Sequence, residues 1–159
     1  MSENENNNKD SRQQDKESRV VIVNKMNESV KYWRAVVDLL TKRIREDSLK
    51  DIYNVQAEAI SHRQRVVEEV RTYSVKIHKL VQRMKSLSKD RFEFYATSYQ
   101  VKTSGTEKLK LIEADLADIQ SFINELDEHV NFLRDTSKNL ESINYSVKGR
   151  IELANILGV

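Results

Sequence analysis

The residues of this sequence best suited to chemistry are cations. Arg63, Arg65, Arg71, Lys76, Lys79, Arg83, Lys85, Lys89 and Arg91 crowd into residues 61–91, which hold 9 basic and only 3 acidic side chains. On a helix Lys76, Lys79 and Arg83, at i, i+3 and i+7, line one face, and Lys85 and Lys89 form an i, i+4 pair. The run leads into Phe92, Phe94, Tyr95 and Tyr99. Cations beside clustered rings suit single-stranded nucleic acid: the charges neutralise phosphates, and the rings stack on splayed bases of any sequence. Two plainer readings stay open at this point, a solvated basic helix face and contact with an anionic membrane surface.

Other chemistries find little material. His62, His78 and His129 are the only histidines, and no two have the i, i+4 spacing of a helical zinc pair. His129 follows Asp127 and Glu128, a context that reads as a solvated helix face. With Cys 0, there are no disulfides, zinc–thiolate sites or thiol nucleophiles, which fits a reducing compartment. With Pro 0 and Gly 3, tight turns and Gly-rich phosphate loops are scarce, and so are the loops that build a catalytic pocket. The sequence thus predicts no enzyme, no metal site and no cofactor.

The elements that must carry these cations are helices. The chain has 159 residues, 33% charged and 38% hydrophobic, too polar for one large compact core. Residues 1–18 hold no apolar side chain after Met1 and read as a disordered tail, unlike a signal peptide. Val20 to Val23 suit a short strand or a helix start, and are far short of the roughly 18 apolar residues of a membrane span. Met26, Val30, Trp33, Val37, Leu40 and Ile44 then repeat at 4, 3, 4, 3, 4, an apolar heptad stripe. Ser48 and Asp51 resemble a capping box that opens a second helix over about 49–101. Its stripe is Val66, Val70, Tyr73, Ile77, Leu80, Met84 and Leu87, with Leu49, Ile52, Tyr53 and Ile60 holding the phase loosely upstream. A helix of about 50 residues is about 75 Å long and must lie along another helix.

A break is expected at Lys102-Thr103-Ser104-Gly105-Thr106, where Gly105 permits a turn and Ser104 with Glu107 makes a second capping box. Over about 106–157, Leu109, Ile112, Leu116, Ile119, Ile123, Leu126, Val130, Leu133, Leu140, Val147 and Ile151 keep one 3,4 repeat, with Ala154 after them and Ser137 and Asn144 at the polar steps. Such a stripe predicts a coiled coil and the oligomerisation surface. Whether the helix breaks at residues 135–139 is left open by their short polar side chains. Residues 19–159 are therefore expected to form a single all-α domain, a helical hairpin that assembles into a coiled-coil-rich homo-oligomer. The net charge of +2 conceals an acidic C-terminal third, with 6 basic and 10 acidic side chains over 106–159. That asymmetry predicts pairing between segments or an acidic partner for the middle.

Lys89-Asp90-Arg91-Phe92-Glu93-Phe94-Tyr95 resembles the Lys-x-Arg-apolar-acidic-aromatic-Tyr segment of the UvsY recombination mediators of T-even-like phages. Glu107-Lys108-Leu109-Lys110-Leu111-Ile112-Glu113-Ala114-Asp115 is similar to that family's entry into its C-terminal helices, and Asn144-Tyr145-Ser146-Val147-Lys148 to its terminal segment. The likeness covers about residues 60–155; the N-terminal tail and first helix have no counterpart, and Ala96-Thr97-Ser98-Tyr99 stands where the family has a Gly-containing turn. The resemblance implies a small helical protein that forms rings and binds single-stranded DNA. It also implies a role in helping a RecA-like recombinase displace a single-strand binding protein, in the cytoplasm of a phage-infected host. It assigns DNA binding to Lys89 and Arg91. Together, residues and resemblance place the DNA site at Lys76, Lys79, Arg83, Lys85, Lys89, Arg91, Phe94 and Tyr95, with no membrane partner. The alternative is a structural or adaptor coiled coil whose basic face meets an acidic protein.

Overall fold

The computed structural model describes residues 2–99, 101 and 104–158, with side chains from residue 17 onward. Three helices make up the chain: α1 (Ser2–Glu46), α2 (Leu49–Thr97) and α3 (Gly105–Leu157). No strand occurs among the described residues, so Val20 to Val23 belong to α1. The expected tail, residues 1–18, falls almost wholly on side chains outside the described ones, and the backbone of Ser2 onward is part of α1.

The joints follow local chemistry. Ser48 caps α2: the Asp51 amide donates to Ser48 Oγ at 3.4 Å, and that hydroxyl donates to Asp51 Oδ2 at 2.5 Å. Ser104 caps α3 reciprocally. Its amide donates to Glu107 Oε2 at 2.7 Å, while the Glu107 amide donates to Ser104 Oγ at 3.3 Å. The Ser104 amide bond holds the Glu107 carboxyl below its usual range. Gly105 opens α3 without a left-handed backbone. Gly158 is the residue that adopts one, with φ 69° just past the end of α3. Lys102 and Thr103, in the expected break, lie outside the described residues.

The chain, expected as one helical domain, divides into two compact units. The first comprises Met1–Arg65 and Asp135–Val159, that is α1, the start of α2 and the end of α3. Met26, Trp33 and Leu40 of the α1 stripe are buried in this unit, as are Ile52, Val55 and Ala59 of α2 and Leu140, Ile143, Val147 and Ala154 of α3. Val55 and Ala59 replace the expected Tyr53 and Ile60, which are 58% and 55% exposed. The true phase steps 3 then 4 from Ile52, which turns Tyr53 and Ile60 outward. Ion pairs and polar bonds border the core: Arg43 with Glu58 at 2.7 Å, Arg63 with Glu141 at 3.3 Å, and Gln56 Nε2 donating to Asn144 Oδ1 at 2.9 Å. Asn144, a polar step in the α3 stripe, is satisfied by that bond. Arg150 of α3 donates to the carbonyls of Ile44 and Asp47, covering the C-terminal end of α1.

The second unit, Val66–Arg134, is the hairpin of the remaining α2 and α3. Val66, Tyr73 and Tyr95 of α2 and Ile112, Ile123, Leu126, Val130 and Leu133 of α3 are its buried apolar residues. His129, expected on a solvated face, is buried: it is 4% exposed, edge-on to Tyr73 at 4.6 Å and stacked near Phe132. α3 passes through residues 135–139 without a break, and Thr136 is buried there.

Most of the stripe assigned to oligomerisation is therefore covered by the chain itself. Ile112, Ile123, Leu126, Val130, Leu133, Leu140 and Val147 are buried, while Leu116, Ile119 and Ile151 are half-buried and Leu109 is exposed. The heptad repeat shows that a helix lies on this face; in this structure the helix belongs to the same chain.

Candidate nucleic-acid interface

α2 of the second unit presents the cations. At about 100° per residue, Lys76, Lys79 and Arg83 occupy one flank of the helix, and Lys85 and Lys89 lie about 130° round the axis from them. The residues that the sequence gathers into one block are thus two rows on opposite flanks of the core-facing stripe. Each row ends at an exposed ring. Phe94 is five turns on from Lys76 and continues the first flank, and Phe92 lies seven residues beyond Lys85 and continues the second. Both rings stand out from the surface, Phe92 at 55% and Phe94 at 41% exposure. Lys79, Lys85 and Lys89 are exposed and form no ion pair with another described residue. Lys76 is half-buried, with its ammonium 5.3 Å from the centre of the Tyr73 ring.

Two predicted site residues sit elsewhere. Tyr95 is buried, edge-on to Phe94 at 5.2 Å and to Tyr99 at 5.1 Å. Its hydroxyl donates to Asp115 Oδ2 on α3 at 2.9 Å, and that bond raises its pKa above the ordinary phenol value. Tyr95 is a clasp between helices, and Phe92 and Phe94 are the exposed rings at this end of α2. Arg91 also faces α3, with Nε 3.4 Å from the same Asp115 oxygen. Two positions apart on an unbroken helix, Lys89 points to solvent while Arg91 points to the partner helix. The pair assigned by resemblance therefore does not share a face. Asp115 carries no signal in the sequence beyond being one of many carboxylates on α3.

The first unit holds a ring-and-cation cluster. Arg65 donates to the Tyr32 hydroxyl at 3.0 Å and lies 5.4 Å from the Tyr32 ring centre and 5.6 Å from that of Trp33. Trp33 is edge-on to His62 at 5.7 Å. Burial, then the charge of Arg65, lowers the His62 pKa. The spacing of Tyr32 from Arg65 gives no hint of this contact, because it joins different helices.

Among the described residues, no group of three or more His, Asp or Glu side chains comes together to hold a metal ion. Nor is any helix long and apolar enough to cross a membrane. No family model, curated protein or solved structure matches the chain.

Proposed function

We propose that this protein binds single-stranded DNA without sequence preference along α2 of its second unit. As a self-associating mediator, it would help a RecA-like recombinase replace a single-strand binding protein. The observation that carries the DNA contact is the pair of lysine rows, each running into an exposed phenylalanine. Lysines release counterions from phosphates, and the rings offer faces on which any base stacks. The recombinase and the single-strand binding protein enter through the resemblance at residues 89–95, 107–115 and 144–148. Assembly of several copies multiplies a modest site through effective concentration.

Titration of a labelled oligothymidylate at several salt concentrations tests the DNA contact. Binding weakens steeply with salt, and replacing Lys85 and Lys89 with Ala lowers the slope by roughly 0.7 for each phosphate no longer neutralised. Phe92→Ala or Phe94→Ala costs about 1–3 kcal/mol per engaged base with little change in slope. Binding that is absent or insensitive to salt would leave the adaptor role, in which the lysine rows meet acidic helices of a protein.

A further inference from the structure

We propose that Asp115 is an internal competitor for the phosphate that Arg91 takes from DNA, so that Arg91 joins the interface only by exchange. This rests on the DNA-binding role of α2. Three features carry it. Arg91 Nε is 3.4 Å from Asp115 Oδ2, longer than a good charge-assisted hydrogen bond and therefore a loose ion pair. The two side chains remain 37% and 32% exposed, within reach of an arriving strand. The same carboxylate oxygen accepts the Tyr95 hydroxyl at 2.9 Å, and Tyr95 is buried. The carboxylate is thus anchored on its inner side and holds the guanidinium weakly on its outer side.

A phosphate oxygen offers the guanidinium what the carboxylate offers, an anionic acceptor of matching geometry. When Arg91 turns to a phosphate, Tyr95 keeps Asp115 in place, and the carboxylate is left behind to repel the strand. A free phosphate ion gains little from that exchange. A strand already held by the lysine rows brings its next phosphate at high effective concentration, and the exchange becomes favourable. Asp115 is then a specificity residue. It sets the interface against isolated anions and in favour of a polyanion engaged at several points.

The test compares wild type, Asp115→Asn, Arg91→Ala and the double variant in oligothymidylate binding at low and high salt. Asparagine keeps the shape and an acceptor for Tyr95 but loses the charge. Asp115→Asn tightens binding about threefold to fivefold at low salt, the scale of a partly exposed ion pair, and the gain shrinks as salt rises. In the Arg91→Ala background the gain falls to the smaller part that repulsion by the carboxylate alone accounts for. Unchanged or weaker binding by Asp115→Asn overturns the competition, as does an equal gain with Arg91 absent, since general repulsion would then explain it. A wild type with no salt-dependent binding removes the DNA role itself, a different result from an unresponsive Asp115→Asn. A second measurement needs no variant: the Arg91 Nε–H resonance of the wild-type protein shifts on saturation with oligothymidylate. A resonance that stays in place shows that Arg91 never leaves Asp115, and the competition fails.

Discussion

His129 occupies a place that favours the neutral imidazole. Its ring lies between Tyr73 and Phe132, and its Nε2 is buried with no hydrogen-bond partner. Burial lowers its pKa from the ordinary 6.5, and the charge of Glu69 opposes that shift in part. Above about 6.5 both folded and unfolded chains are neutral at this ring, and it adds no pH dependence. Below that value the unfolded chain takes up the proton first, so stability falls as pH drops through the depressed folded value. His62 shifts in the same direction and adds to the effect. The melting temperature should therefore decline from about pH 6.5 downward, before the carboxylates titrate. His129→Phe should flatten that decline, and an unaltered slope would place its source elsewhere. The sequence hid this residue for a physical reason. His129 adjoins Val130 in the stripe, and only the packing of α2 decides whether such a flanking position is wet or dry.

At the scale of elements, what is legible in the sequence is what is local. Ser48 with Asp51 and Ser104 with Glu107 announce the starts of α2 and α3 because a capping box is written within four consecutive residues. The α1 stripe of Met26, Trp33 and Leu40 is legible because a 3,4 repeat needs no knowledge of its partner. Where α1 is closed off is not legible. The Ile44 and Asp47 carbonyls receive Arg150, more than a hundred residues away, and Arg150 looks like any other surface cation in the sequence. Its guanidinium fork reaches both carbonyls at once, which an ammonium cannot do from the same geometry. Arg150→Ala should lower stability by about 2 kcal/mol, the range for charged hydrogen bonds to partly buried groups. Arg150→Lys should recover less than half of that. Urea unfolding followed by circular dichroism measures both, and full recovery by lysine would show that charge rather than the fork matters.

For the whole molecule, the sequence leaves one choice open that only the fold makes. A heptad stripe demands a covering helix but does not say whose it is, and by its length alone the α3 stripe reads as a seam between copies. In the structure most of its residues are buried within the one chain. The two-unit division is equally hidden, because α2 and α3 keep one phase through residues 65–66 and 134–135 and nothing in the spacing marks a boundary. The proposed DNA site shows the same limit: composition locates the cations, but the helix surface separates them into two rows and turns Arg91 and Tyr95 toward α3. These alternatives for the stripe give different outcomes at two positions. Leu126 is fully buried and Leu109 is 56% exposed. With the stripe closed inside one chain, Leu126→Ala should cost about 2–5 kcal/mol, as buried leucines do. Leu109→Ala should change stability by about 0.5 kcal/mol or less, as exposed sites do. Both values should hold on dilution, because a seam within one chain has no concentration dependence. Melting at protein concentrations about a hundredfold apart, with sedimentation at each, makes the comparison. If the destabilisation by Leu126→Ala vanished where the protein is monomeric, the stripe would join copies, and the self-association proposed for DNA binding would run along α3.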